Sequence, residues 1–121
     1  MKIKSKIAFW VFSGILIVVF LLIGVPYINK ILDESRKGAT RGNLSAIRAA
    51  VSIYYSENEG NWPGNLEVLI PKYLDNIPEE PISKSNKVVA KFDGTGGWYY
   101  KSNPDESGVG NVYPNLNKVI K

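Results

Sequence analysis

The 121-residue chain has no cysteine and no histidine. Their absence excludes disulfides, thiol nucleophiles, Ser-His and Cys-His pairs and the usual zinc ligand sets. The remaining carboxylates, serines, tyrosines and lysines have no spacing that implies a catalytic centre, so the expectation is that the chain is not an enzyme. Paired Glu79 and Glu80 read as a solvated turn. The length fits one small domain with one core and excludes a multidomain architecture. Charge is modest and unevenly placed: 15 Lys and Arg against 11 Asp and Glu give a net +4, and three of the basic residues are Lys2, Lys4 and Lys6. Without those three, 12 basic side chains face 11 acidic ones, which is close to neutral. The excess is therefore a topogenic signal rather than a nucleic-acid footprint.

From Ile7 to Ile28 charge is absent altogether. As a helix rising 1.5 Å per residue this run reaches about 33 Å, slightly more than the hydrocarbon core of a bilayer. A cleaved secretory signal is the alternative, but the run exceeds the usual apolar length and no A-x-A-like site follows it. The lysines before the span place the N-terminus in the cytoplasm, giving a single-pass, N-in/C-out protein of the inner (cytoplasmic) membrane. Pro26, two residues after Gly24, removes one backbone hydrogen bond and crowds the Leu22 carbonyl, which predicts a bend or soft spot. In lipid the freed carbonyl needs a partner helix, water or a serine.

After the span, Ile28, Ile31, Leu32, Leu44, Ile47, Val51, Tyr54 and Tyr55 recur at helical spacing, with Asp33, Glu34, Arg36, Lys37, Arg41 and Arg48 on the remaining surface. One helix of about 50 residues is expected, amphipathic in its second half. Gly38 and Gly42 each cost about 1 kcal/mol relative to alanine there, so they mark either a flexible junction or a place where a neighbour approaches closely. Glu59 to Pro81 is rich in turn formers and reads as a wrapped loop, with a short helix at Leu66, Leu69 and Ile70 and anchors at Tyr73, Leu74 and Ile77. Lys87 to Phe92, Trp98 to Lys101 and Asn111 to Tyr113 read as strands. The glycine-rich Asp93 to Gly97 between the first two reads as a hairpin connection, which makes the sheet antiparallel. Trp62, Trp98, Tyr100, Tyr54 and Tyr73 are assigned to the core rather than to a stacking platform, since so small a sheet region needs large side chains inside. The expected fold is α+β: a long N-terminal helix packed on a small antiparallel sheet. Its parts are 1–28 (stub and transmembrane half), 29–59 (amphipathic half) and 60–121 (loop and sheet).

This order of features resembles type IV pilin-like proteins and is closest to the major pseudopilins of type II secretion. The resemblance is carried by Arg41-Gly42-Asn43-Leu44, Ala49-Ala50-Val51 with Tyr54-Tyr55, and Asn58-Glu59-Gly60-Asn61-Trp62-Pro63. It continues in Leu66-Glu67-Val68-Leu69-Ile70, Lys72-Tyr73-Leu74, Ile77-Pro78 followed by Pro81, and Lys91 to Tyr100. It implies a pilin-like fold and a subunit that waits in inner-membrane lipid. From there the subunit joins a helical homo-oligomer through its apolar helix, with other pilin-like subunits and an ATPase-driven assembly platform as partners. The assembly helix would use Phe9, Gly14, Gly24 and Pro26.

The resemblance also implies leader cleavage and methylation of the new amine, and here the chain departs from the pattern. Counting back from Pro26 puts Phe9 where the family has a glutamate and Lys4 where it has the cleavage glycine. Gly14 lies too far into the span to serve instead. An uncleaved single-span anchor with a small periplasmic domain that does not polymerise is the alternative. The family's calcium loop would fall on Asn103, Asp105, Glu106 and Asn111, whose spacing is not that of an EF-hand, against a plain solvated loop. Lys84, Lys87, Lys91, Lys118 and Lys121 form a basic set without arginine, and no nucleic acid is expected.

Overall fold

A computed structural model describes residues 2–117. The elements are helix α1 (Lys2–Glu57), a 3-10 helix (Leu66–Leu69), and strands β1 (Val88–Val89), β2 (Thr95–Tyr100) and β3 (Val112–Leu116). The class is α+β. Two compact units divide the chain after Ser35.

In the first unit α1 carries the apolar run and remains helical through Pro26. The large apolar side chains from Ile3 to Leu32 are 44% to 73% exposed. No acidic residue occupies the first turn of α1, where Lys2 and Lys4 stand instead. Cations at a helix N-terminus oppose the macrodipole, so these lysines do not serve helix stability.

In the second unit, the later turns of α1 bury Thr40, Leu44, Ile47, Ala50 and Val51. This stripe recurs at steps of three and four residues and faces a core of Leu66, Leu69, Ile77, Trp98, Tyr100 and Val112. The helix ends where Glu59 and Gly60 take positive φ (58° and 80°), while Gly60 N–H donates to the Tyr55 carbonyl at 3.0 Å. Asn65 caps the 3-10 helix, its side chain accepting from Val68 N–H at 3.2 Å.

The sheet has order β1-β2-β3 and is mixed. β2 and β3 are antiparallel, with Tyr99 opposite Tyr113. β1 runs parallel to β2, with Val88 opposite Trp98, which corrects the expectation of an antiparallel sheet entered by a hairpin. The glycines do supply positive φ, at 71° (Gly94), 109° (Gly96) and 72° (Gly97), but they use it to loop the chain back alongside β1. A Cβ on Gly97 would overlap the Lys87 carbonyl, which accepts from Trp98 N–H at 2.7 Å. Strand pairing shrinks to two residues of the expected Lys87 to Phe92, and Phe92 is exposed. β3 continues past Tyr113 through Pro114, tolerated because β3 is an edge strand.

Trp98 and Tyr100 point inward, and their polar tips are satisfied: Trp98 Nε1 donates to Pro78 O at 2.7 Å and Tyr100 OH to Pro63 O at 2.5 Å. Tyr54 and Tyr73 pack against the core. Trp62 does not join it: at 37% exposure it lies on Tyr55, ring centres 4.1 Å apart, with its edge over Gly110.

Candidate functional site

The residues expected to act in membrane insertion and assembly all lie on the first unit's helix. Phe9 is 69% exposed, its ring set edge-on to Trp10 at 6.4 Å. Gly14 has no atom near the position of a Cβ, whereas a Cβ on Gly24 would stand 3.8 Å from the Phe20 ring, in ordinary contact with it. Lys2, Lys4 and Lys6 are exposed at the start of the helix. The helix is long and apolar enough to cross a membrane. Covering a large apolar side chain is worth about 1.5 to 3 kcal/mol, so a run of this kind strongly favours lipid or other apolar helices over water. The span carries no carboxylate.

The four residues of the expected calcium loop lie between β2 and β3. The loop is closed by Lys101 N–H to Asn111 O at 3.0 Å and Gly110 N–H to Lys101 O at 2.7 Å. Asn103 is committed to a turn: its side-chain oxygen accepts from Asp105 N–H and its carbonyl from Glu106 N–H, both at 3.1 Å. Glu106 lies 3.4 Å from the Lys101 ammonium, which also donates to Ser107 O at 3.2 Å. Asn111 N–H bonds Gly108 O at 3.1 Å. Among the described residues, no three carboxylates converge on a point. Of the basic set, Lys84, Lys87 and Lys91 are exposed, while Lys118 and Lys121 lie outside the described residues.

Three buried polar side chains hold the second unit together, Thr40, Glu80 and Asn115, and of these the sequence pointed only to Glu80, as part of a solvated pair. Glu80 corrects the solvated-turn reading of the acidic pair, because only Glu79 is exposed. Its carboxylate accepts from Thr40 Oγ1 at 2.5 Å, Ile82 N–H at 3.0 Å, Ser83 N–H at 2.6 Å and Ser83 Oγ at 2.6 Å. Ser83 Oγ in turn accepts from Gly97 N–H at 3.0 Å, so one polar chain joins α1, the loop and β2. Burial, the largest single influence, pushes the Glu80 pKa up, but the bonds from Ser83, Thr40 and Ile82 together outweigh it and hold it below 4.5. Asn115 accepts from Asp93 and Gly94 N–H and donates to the Asp93 carboxylate and Gly96 O. With Thr95, it lowers the Asp93 pKa to about 2. At the other extreme, burial and nearby Tyr54 raise the Tyr100 pKa to about 12. The one local signal for these pins is spacing: Ser83 three residues after Glu80 and Thr95 two after Asp93 suit side-chain turns. Nothing local identifies Thr40 or Asn115 as their distant partners.

The geometry therefore offers an exposed apolar helix, a polar-pinned α+β unit and a loop that encloses a lysine. No family model, curated protein or solved structure matches the chain.

Proposed function

We propose that this chain is a structural subunit of a type IV pilus-like or type II secretion pseudopilus-like filament, held first in the inner membrane and assembled through its apolar N-terminal helix. The observation that carries this reading is the exposure of every large apolar side chain from Ile3 to Leu32 on a helix that continues into a separately packed α+β unit. Such a surface is stable only when lipid or like helices cover it. The basic start sets the orientation, N-terminus in and the α+β unit out. The pilin-like order of helix, proline-rich loop and small sheet supports the filament reading over a plain anchor. The assembly partners are further copies, other pilin-like subunits and an assembly platform.

The alternative, an uncleaved anchor that does not polymerise, is favoured by one observation. Lys2, Lys4 and Lys6 precede the span, and Lys4-Ser5 stands where cleavage would need a glycine. Retained lysines would resist extraction from the bilayer.

The chain lacks cysteine, so single-cysteine variants are clean probes. Phe20→Cys in cells producing the protein with its assembly machinery is expected to give disulfide-linked dimers, and sheared cell fractions are expected to contain thin filaments. Membrane-embedded monomers without cross-links would establish the anchor reading instead. Mass analysis of the N-terminus separates the two chemically, since a processed and methylated start belongs only to the filament reading.

A further inference from the structure

We infer that the loop between β2 and β3 carries its own cation: the Lys101 ammonium, and not a bound metal ion, organises the loop oxygens. The argument starts from register. Tyr100 ends β2 with its side chain in the core, so the next residue turns away from the core and into the loop. The main chain of Lys101 closes the loop neck through both bonds to Gly110 and Asn111, which fixes the base of the side chain. Its stem then passes Gly108, at φ +81°, where a Cβ would stand 3.8 Å from both Lys101 Cδ and Nζ. The side chain ends among oxygens of two kinds, the Glu106 carboxylate at 3.4 Å and the Ser107 carbonyl at 3.2 Å, and remains only 22% exposed.

Carboxylate and main-chain carbonyl oxygens are the ligands that a hard divalent cation selects, but calcium needs six to eight of them. Several of the loop's oxygens are already engaged by the loop's own N–H groups and by Lys101. The Asn103 side-chain oxygen and carbonyl each accept one N–H, from Asp105 and Glu106, and the Gly108 carbonyl accepts from Asn111 N–H, so each has one lone pair left. A metal ion bound to Glu106 would also face the positive charge of Lys101 at close range. With the ammonium 3.4 Å from Glu106, the only carboxylate of the set that it touches, Asn103, Asp105, Glu106 and Asn111 do not fit calcium as this loop is folded. An ammonium, with one charge and three donors, meets the demands of the two oxygens it touches without further ligands. The consequence is a loop whose order depends on the charge of one lysine and not on the calcium level around it, so neutralising that lysine is the event that opens it.

The test uses the full chain in detergent micelles, comparing the wild type with Lys101→Met and Lys101→Arg. Amide hydrogen exchange at Gly110 and Asn111 is read in 1 mM calcium chloride and in excess chelator. Wild type is expected to exchange identically in both. Lys101→Met is expected to exchange about tenfold faster, the loss anticipated for a charge-assisted contact and its partner, while Lys101→Arg keeps the positive charge and stays within about twofold. Calcium-dependent slowing in the wild type would overturn the proposal by showing that metal binds despite the lysine. Unchanged exchange in Lys101→Met would overturn it by showing that the ammonium organises nothing. Should the Met variant unfold globally, Lys101→Arg and the calcium arm on wild type still decide.

Discussion

At the scale of single residues, the second unit depends on polar groups placed where water cannot help them. Glu80 is fully buried and takes four hydrogen bonds, one of them from Thr40. Thr40→Val removes that donor and keeps the shape, so it is expected to cost about 1 to 3 kcal/mol, lowering the melting temperature by several degrees. Glu80→Gln should cost more, because one amide N–H₂ must then face N–H and O–H donors. Asn115→Ala strands the Asp93 and Gly94 amides and the Gly96 carbonyl, with an expected loss of about 2 to 3 kcal/mol by thermal or denaturant unfolding. The pH dependence follows from the same contacts. Asp93 and Glu80 have folded pKa values below their ordinary ones, so the folded state binds fewer protons than the unfolded state as the pH drops. Their stabilisation is complete above the ordinary carboxylate range; that of Asp93 is lost as pH falls from about 4 toward 2, and that of Glu80 is lost below the ordinary glutamate range. Tyr100 has the opposite sense: its contribution is complete below pH 10 and is lost as pH rises toward about 12. Unfolding midpoints against pH should show both limbs, and Asn115→Ala should flatten the acid one.

Elements show where local sequence signals suffice and where they fail. The helix was legible because its causes are local: an uninterrupted apolar run, then apolar residues at steps of three and four ending at Tyr54 and Tyr55. The sheet was legible as strands but not as pairing. Asp93 to Gly97 has the composition of a tight hairpin, and its glycines do take positive φ. What decides the topology is the approach of Gly97 to the Lys87 backbone, a contact between residues ten apart that no local pattern encodes. Gly97→Ala must clash there at φ +72°, so a loss of about 2 kcal/mol or more is expected, with Trp98 N–H exchanging fast as β1 detaches. Gly38 and Gly42 predict the reverse. Both are helical with nothing near a Cβ position, and replacing either by alanine should raise the stability of the monomer by about 1 kcal/mol. If the same substitutions abolish assembly while stabilising the monomer, close approach by a neighbour is the reason for the glycines. If assembly persists, they mark a flexible junction.

For the molecule as a whole, the folded core and the apolar helix that is long enough to cross a membrane draw on different residues. The buried residues of the core start at Thr40, and every packing partner named for them lies later in the chain. None of the large apolar side chains from Ile3 to Leu32 is buried. A chain beginning at Arg36 therefore keeps all its core contacts and also the Arg36 carbonyl beside the Thr40 hydroxyl. It is expected to be soluble and to unfold in one cooperative transition, as small domains do. The full chain should remain with the membrane pellet through alkaline carbonate washing, because a spanning helix inserts far more firmly than a surface-bound one. The truncated chain should appear in the supernatant. Release of the full chain by carbonate would remove the spanning assignment. A truncated chain without a cooperative transition would show that residues before Arg36 support the core, and the separation of the two roles would then fail.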